Sequence, residues 1–363
     1  MDCRDAQIGR LYCKIFRIFI MENDTKTIRI PFNKLKAEFF RILLKIGFSE
    51  PRAEKCAEIF TMNSLDGINT HGINRFPRFV KNILEGIVKP EAVPSLLHRV
   101  GSLEQWNGNL GPGPLNATFA TDRAMELARE NGIGMVTLAN TNHWMRGGTY
   151  GWQAAKKGFV IICWTNTCPN MPAWGATDPR IGNNPFVIAV PYQNEAIVLD
   201  FAMSQFSYGK MESLKSEDSK LPYPGGFNKN GEITTDPGEI LESWRVMPVG
   251  YWKGAGLSLL LDIMATILSG GLSTHQIHSC ISEHSISQVF IAINLNNLHN
   301  FPAIDNSINQ IIEDLHKSSP ETPSTKIRYP GENVLQTRKT NLENGIPVSR
   351  DAWEKLKSIR FKS

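Results

Sequence analysis

The segment "GMVTLANTNHWMRGGTYGWQAAKKGFVIICWTN", residues 134–166, decides the class of fold that the sequence predicts. Two short apolar runs rich in β-branched residues, 134–140 and 158–166, flank a helix-sized segment. Apolar runs of this length, bounded by Gly, Pro or Asn, are typical of buried strands. A strand, a helix and a second strand in succession predict an α/β fold.

The same alternation continues through two more apolar runs, "NPFVIAVP" and "AIVLDFA", and predicts an α/β cofactor-binding domain over residues 101–260. Residues 28–100 carry apolar positions at helical spacing and predict a helical N-terminal part. We expect residues 261–363 to form helices and a strand that pack back on this N-terminal part. Residues 1–27 are expected to be an extension that is disordered or precedes the true start. The very apolar segment 256–271 predicts a buried helix.

Composition excludes several classes of partner. The 363 residues are 20% charged with a net charge of +4 and no long run of like charge, which gives little support for nucleic-acid or membrane binding. The six cysteines include no CxxC pair, which predicts free thiols in a reducing compartment. "HQIHSCISEH" (275–284) has metal-ligand residue types without a zinc spacing, so we predict no metal site.

The dinucleotide fingerprint GxGxxG is absent, and so is the GxxxxGK[ST] phosphate loop. A nucleotide would therefore not bind as it does in a standard Rossmann unit. Polar residues instead follow the predicted strands, where ligands of α/β folds gather. They include Asn142, His143 and Asp200. Asp200 could equally cap a helix or hold a loop in place through hydrogen bonds. His143 could equally be a hydrogen-bonded structural histidine.

"GINTHGINRF" (67–76) places His71 among small and polar residues, with Arg75 four positions later. If the segment is helical, both side chains lie on one face. Histidine is a natural proton donor, and arginine binds carboxylates through its planar fork. His71, Arg75 and a distant Asp are the set needed to reduce a 2-oxo acid, with hydride supplied by a cofactor.

Five motifs in order resemble those of the malate/L-lactate dehydrogenase type 2 family: "THGINRF" (70–76), "NTNHW" (140–144), "LDFAMS" (199–204), "KGAGL" (253–257) and "RYPGE" (328–332). The resemblance implies a non-Rossmann NAD(P)-binding α/β fold with a mixed sheet and flanking helices. It also implies an NADH cofactor, with NADPH possible, and a cytoplasmic homodimer.

The resemblance also implies roles for individual residues. His71 matches the catalytic proton donor, and Asp200 matches the acid that orients or assists it. Arg75 is assigned to the substrate carboxylate, while Asn142 and His143 are assigned to the substrate cleft. The cofactor-binding residues implied are Ile197, Val198, Leu199, Asp200, Phe201, Ala202, Met203, Trp252, Lys253, Gly331, Glu332 and Asn333.

Within the family, "NHWMRGGTYGWQAAKKG" (142–158) and "GYWKGAGLSLLLDI" (250–263) are most similar to members that reduce a diketo sugar acid, which implies a small sugar-acid substrate. Another 2-oxo acid or imino acid reductase, of the malate, lactate or ureidoglycolate type, remains an alternative, as does an idle ligand-binding homologue. The chain departs from the family at Thr70, where serine is usual, and at Ser285, where glycine is frequent, which puts the glycine-dependent turn there in doubt.

Overall fold

A computed structural model describes residues 27–277 and 283–359. The extension expected over residues 1–27 lies almost wholly outside the described residues. The helices are α1 (Phe32–Lys45), α2 (Glu50–Leu65), α3 (Phe76–Leu84), α4 (Gly113–Asn131), α5 (Gly148–Ala155), α6 (Tyr208–Ser216), α7 (Pro237–Ser243), α8 (Trp252–Ser269), α9 (Ile304–His316), α10 (Glu332–Asn344) and α11 (Arg350–Ser358).

The strands are β1 (Thr27–Ile30), β2 (Ser95–Val100), β3 (Leu103–Asn107), β4 (Ile133–Thr141), β5 (Phe159–Thr165), β6 (Met171–Pro172), β7 (Pro179–Ile181), β8 (Phe186–Tyr192), β9 (Glu195–Phe201), β10 (Gly226–Phe227), β11 (Ile233–Thr234), β12 (Ile286–Asn294) and β13 (Ile346–Ser349). Seven of them form one sheet in the order β2-β3-β4-β12-β5-β8-β9. The β3–β4 pair is parallel and the other pairs are antiparallel. The predicted α/β class with a mixed sheet is confirmed.

Helices cover both faces of this sheet. Alternate residues of its central strands, such as Leu138 and Cys163, pack against α4 and α5 on one face. Their neighbours, such as Trp164 and Val289, pack against α6, α7 and α8 on the other. Because β12 lies in the middle of the sheet, residues beyond 260 complete the α/β core. The proposed domain boundaries stay a prediction.

The N-terminal helices have a core of their own, to which the C-terminus contributes. β1 pairs antiparallel with β13, so that Ile30 lies opposite Ile346. Trp353 and Leu356 of α11 join Phe39 of α1 in the same buried cluster. The two ends of the described chain are therefore held together beside the sheet.

Helix α8 corrects one expectation. It forms as predicted, but it is not buried within the chain. Leu261 and Ala265 face the sheet core, whereas Trp252 and, beyond the first turn, six further apolar side chains are exposed: Leu257, Leu259, Leu260, Ile263, Met264 and Ile267. The cysteine prediction also needs a correction. Cys56 and Cys163 are free and buried, as expected, but Cys168 is disulfide-bonded.

Helix α4 supports the loop that carries His143, and its first residue admits no side chain. A β-carbon at Gly113 would lie 2.2 Å from the carbonyl oxygen of His143 and 2.3 Å from that of Asn142. We expect Gly113→Ala to lower the free energy of unfolding by about 1–3 kcal/mol, because the clashing atoms are backbone. Urea unfolding at a constant m-value measures this. Glu130→Ala, exposed on the same helix, should change the free energy of unfolding by less than about 0.5 kcal/mol. Equal effects of both changes would contradict the prediction.

Candidate active site

His71 ends a short 3-10 turn, Asn69–His71, between α2 and α3. The expectation that a single helix carries both His71 and Arg75 is wrong. Gly72 interrupts it with φ −109° and ψ −121°, and Arg75 is the N-cap residue of α3. A β-carbon at Gly72 would lie 2.0 Å from Ser64 Oγ, so this close turn requires glycine.

Two side-chain-to-backbone hydrogen bonds hold the turn, one that its backbone accepts and one that its own Asn69 side chain donates. Asn63 Nδ2 donates to the carbonyl oxygen of His71 at 3.0 Å, and Asn69 Nδ2 donates to that of Pro347 at 2.9 Å. The Thr70 hydroxyl lies 3.2 Å from His71 Nδ1. The hydroxyl that threonine shares with the usual serine therefore contacts the imidazole directly.

His143 lies beside His71, with the two rings stacked at a centroid distance of 5.8 Å. Its Nδ1 accepts a hydrogen bond from the Met145 backbone N–H at 3.0 Å. Neutral imidazole with an accepting Nδ1 carries its proton on Nε2. His143 thus combines a structural hydrogen bond on Nδ1 with an Nε2–H donor that has no hydrogen-bond acceptor among the described residues.

A small cavity opens next to this histidine pair. Its lining includes Arg75 and Arg78 from α3, together with Asn142, His143 and Glu283. The Nδ2 of Asn142 donates to the carbonyl oxygens of Leu110 at 2.9 Å and Gly111 at 3.0 Å, so its amide nitrogen has a structural role. Two guanidinium groups and one carboxylate leave the cavity with a net positive charge, which suits an anionic ligand.

The electrostatics set the protonation states. Burial, Arg75 and Arg146 lower the pKa of His71 to about 3. Burial, Arg75 and His71 also lower the pKa of His143. Burial and Arg78 lower the pKa of Arg75 to about 10, against the opposing effect of Glu283. At neutral pH the site therefore holds neutral imidazoles beside a charged guanidinium.

Asp200 lies at the end of β9, and its side chain is 24% exposed. Its Oδ2 accepts a hydrogen bond from the Gly148 backbone N–H at 2.7 Å and lies 3.9 Å from Arg146 Nε. Burial raises the pKa of Asp200 against the opposing effects of Arg146 and Gly148. Among the described residues, no hydrogen bond joins Asp200 to His71, so any effect of Asp200 on the imidazole acts through Arg146 or through a ligand.

The three segments expected to bind a cofactor lie next to one another. The Val198 backbone N–H donates to the carbonyl oxygen of Pro330 at 3.0 Å, and that of Val249 donates to the carbonyl oxygen of Met203 at 2.8 Å. Gly331 has φ +92°, and a β-carbon there would lie 3.2 Å from Val198 N. Helices α8 and α10 begin at Trp252 and Glu332, so two helix N-termini flank the end of β9. Helix N-termini are natural sites for phosphate.

Several residues of this region carried no assigned role in the sequence. Asp66, Arg146 and Arg338 form a buried ion-pair cluster next to the site, and Arg78 and Glu283 line the cavity. Arg146 follows the end of a predicted strand, where ligands of α/β folds gather, so its position already pointed to the site. Asp66 and Arg338 are 272 positions apart, and nothing in the local sequence connects them. No cluster of three metal-ligating side chains occurs in the described chain, and part of the 275–284 segment lies outside it.

Comparison with known proteins agrees with this geometry. Residues 30–357 match the sequence model of the malate/L-lactate dehydrogenase family. The chain belongs to that family. It is accordingly an oxidoreductase that acts on a hydroxyl–carbonyl pair and uses a nicotinamide cofactor, and a small acid fits its substrate class.

Individual relatives cover nearly the whole chain. It is 42% identical to a 2,3-diketo-L-gulonate reductase of Mannheimia succiniciproducens and 41% identical to one of Escherichia coli O6:K15:H31, in each case over 92% of the chain and 100% of the relative. Malate dehydrogenase from Entamoeba histolytica has a similar structure, with a TM-score of 0.86 at 25% identity, over 92% of this chain and 97% of the other.

One helix of the described residues, α8, is long and apolar enough to cross a membrane. Length and composition alone are weak evidence, because the core helix of a soluble protein meets the same criteria. Since α8 packs against the central sheet of a dehydrogenase fold, we regard it as part of the globular structure.

The low pKa of His71 makes a testable prediction for the ligand-free protein. Its C2–H resonance, identified by its loss in His71→Gln, should not titrate between about pH 5 and 8, because the pKa lies near 3 instead of 6.5. The unfolded chain binds this proton as the pH falls through 6.5 and the folded chain does not, so His71 makes the folded state less stable below that pH. A titration midpoint near 6.5 would contradict the geometry described.

Proposed function

We propose that the protein reduces 2,3-diketo-L-gulonate to 3-dehydro-L-gulonate with NADH. The observation that carries the proposal is sequence identity. The chain is 41–42% identical to relatives named as this reductase, over 100% of the length of each relative. The positively charged cavity beside His71 and His143 supports it, because the substrate is a small carboxylate. In the reaction, the carbonyl at C2 gains hydride at carbon and a proton at oxygen.

Arg75 is proposed to hold the substrate carboxylate. Arginine binds a carboxylate through two parallel hydrogen bonds, which also fixes the orientation of the neighbouring carbonyl. Arg75 lies at the start of α3 and lines the cavity together with His143. The free Nε2–H of His143 is then available to donate to an oxygen of the substrate.

His71 is proposed to donate the proton to the developing alkoxide. Arg75 is one cause of its low pKa, so a bound carboxylate that neutralises Arg75 raises the pKa of His71. The imidazole therefore gains proton affinity when substrate is bound, and gives the proton up as negative charge develops on the carbonyl oxygen. Thr70 Oγ, 3.2 Å from Nδ1, keeps the ring oriented.

The nicotinamide cofactor supplies the hydride when it is bound. Residues 197–203, Trp252, Lys253 and residues 331–333 are proposed to hold it. Their adjacency supports this, since Val198 contacts Pro330 and Met203 contacts Val249. A β-carbon at Gly331 would meet the backbone of Val198, so glycine lets segments 331–333 and 197–203 lie close together. Lys253 in the first turn of α8 is suited to a phosphate.

Asp200 is proposed to assist His71 through charge. Its carboxylate lies 3.9 Å from Arg146 Nε, and Arg146 is one of the groups that lower the pKa of His71. A negative charge paired with Arg146 weakens the effect of that cation on the imidazole. Asp200 thus supports protonation of His71 without touching it.

We also propose a cytoplasmic homodimer that binds neither membrane nor nucleic acid. Six apolar side chains beyond the first turn of α8 are exposed on the single chain, and burial against a second copy would remove them from water. A two-fold axis lets the same helix face meet itself. The balanced net charge of +4 offers no basic patch for a nucleic acid.

The function is tested by NADH consumption with 2,3-diketo-L-gulonate, beside pyruvate and oxaloacetate, and with NADPH in parallel. We expect fast turnover on the diketo acid only. His71→Gln should lower turnover by about 10²–10⁴, the usual contribution of a general acid. His98→Gln, a matched change at the exposed strand β2, should leave turnover unchanged.

Turnover on a simpler 2-oxo acid or an imino acid alone would replace the substrate and keep the chemistry. NADH binding without turnover on any acid would support the idle homologue. Full activity of His71→Gln would reject the proton-donor role.

The dimer is tested by the molar mass in solution. Ile267→Glu places a charge on the exposed face of α8, where Ile267 is 67% exposed, and should reduce the mass to that of one chain. Ile311→Glu on α9, where the isoleucine is 66% exposed, is the matched control and should remain a dimer. Light scattering after size-exclusion chromatography measures both. A dimeric Ile267→Glu protein would exclude α8 from the interface.

A further inference from the structure

Arg146 lies between the two residues proposed for proton transfer, His71 and Asp200, yet neither the motifs nor the relatives assign it a role. It belongs to the segment 142–149, called the junction loop here, which comprises the connection from β4 to α5 and the first two residues of α5. Its side chain is 7% exposed. Arg146 Nη1 donates to Asp66 Oδ2 in a short ion pair, and its Nε lies 3.9 Å from Asp200 Oδ2.

Asp66 is a buried anchor for this cation. It is the C-cap residue of α2, five positions before His71, and its side chain is 3% exposed. It also binds Arg338 of α10 through two hydrogen bonds of 2.7 and 3.0 Å. Because α10 begins at the proposed cofactor segment 331–333, Asp66 connects that helix to the His71 turn.

The junction loop contacts α2 at a second point and the sheet at a third. Thr149 Oγ1 donates to Asn63 Oδ1 at 2.8 Å, and Asn63 Nδ2 donates to the carbonyl oxygen of His71 at 3.0 Å. On the other side, the Gly148 N–H donates to Asp200 at 2.7 Å. The loop therefore bridges the element that carries His71 and the strand that carries Asp200.

We propose that Arg146 is a positioning residue that fixes His71 and Asp200 relative to each other, through Asp66 on one side and Asp200 on the other, and keeps a fixed cation beside the imidazole. This inference rests on the proposed roles of His71 and Asp200. The guanidinium of Arg146 is bound by Asp66 and faces Asp200. It is therefore already occupied, unlike the guanidinium of Arg75, which is proposed to bind the substrate.

Other charged groups also influence the pKa values of the histidine pair or of Arg75. Arg75 and Arg78 approach the histidine pair from α3, and His143 stacks against it from the junction loop. Glu212 of α6 and Glu283 ahead of β12 act on Arg75. These groups remain when Arg146 is replaced, so the effect of its charge can be isolated.

The test compares Arg146→Met with Arg146→Lys by the titration of the His71 C2–H resonance in the ligand-free protein and by kinetics. Loss of the cation should raise the titration midpoint of Arg146→Met by about one pH unit or more, and Arg146→Lys should stay close to the parent. We expect kcat of Arg146→Met to fall about tenfold or more, with KM for the acid changed by less than about threefold.

Arg146→Met leaves Asp66 bound to Arg338, and Arg146→Gln, which removes the charge but keeps a hydrogen-bond donor toward Asp66, is the second variant in case Arg146→Met does not fold. An unchanged midpoint of the His71 titration in both charge-removing variants would overturn the inference. So would an Arg146→Lys protein whose midpoint equals that of Arg146→Met. Failure of the proposed function would appear elsewhere, as a parent protein without turnover or as an active His71→Gln variant.

Discussion

One buried carboxylate holds the site together, because Asp66 binds two arginines from distant parts of the chain. Arg146 reaches it from the junction loop, and Arg338 reaches it from α10. Burial of an ion pair has a large desolvation cost, which is recovered only when the geometry is good and the remaining hydrogen bonds are made. Both oxygens of Asp66 have partners, and Arg338 also packs over the Trp152 ring at 4.8 Å. Asp66 thus ties the junction loop and α10 to the end of α2 at one point.

That constraint explains how several elements of the chain are brought together around the candidate site. The His71 turn, the junction loop, the end of β9 and the start of α10 meet around Asp66 and Asp200. The sheet supplies the rigid part, since Val198 of β9 bonds directly to the segment before α10. Polar groups of the cofactor segments are thereby presented from one strand end and two helix N-termini, without the glycine-rich loop of a Rossmann unit.

The sequence predicted strands β4, β5, β8, β9 and β12 and most helices because their apolar residues recur at a local period. The remaining short strands, α6 and α7 were not predicted, and neither were the polar helix α10 and the exposed strand β2, which lack an apolar face that differs from a loop. Burial of α8 was predicted from its composition, but composition does not tell whether the chain itself or another surface covers an apolar helix. The doubt about the turn at Ser285 was unfounded, because the serine adopts φ +56° and its hydroxyl donates to Asn140 Oδ1. His71, Arg75 and His143 were found from their chemistry and motifs, whereas Asp66 and Arg338 depend on tertiary contact alone.

The charges around His71 also explain how one site can bind an anion and deliver a proton. In the free protein, burial, Arg75 and Arg146 all disfavour a second positive charge, so the imidazole is neutral. A carboxylate that enters the cavity cancels Arg75, while Arg146 stays paired with Asp66 and Asp200. In the proposed mechanism, protonation of His71 is therefore coupled to the presence of substrate, and the remaining cation keeps the imidazolium a strong acid. A histidine donates its proton more readily when its protonated, charged form is disfavoured. The fixed cation beside His71 therefore favours transfer of the proton to the developing alkoxide over its retention by the histidine.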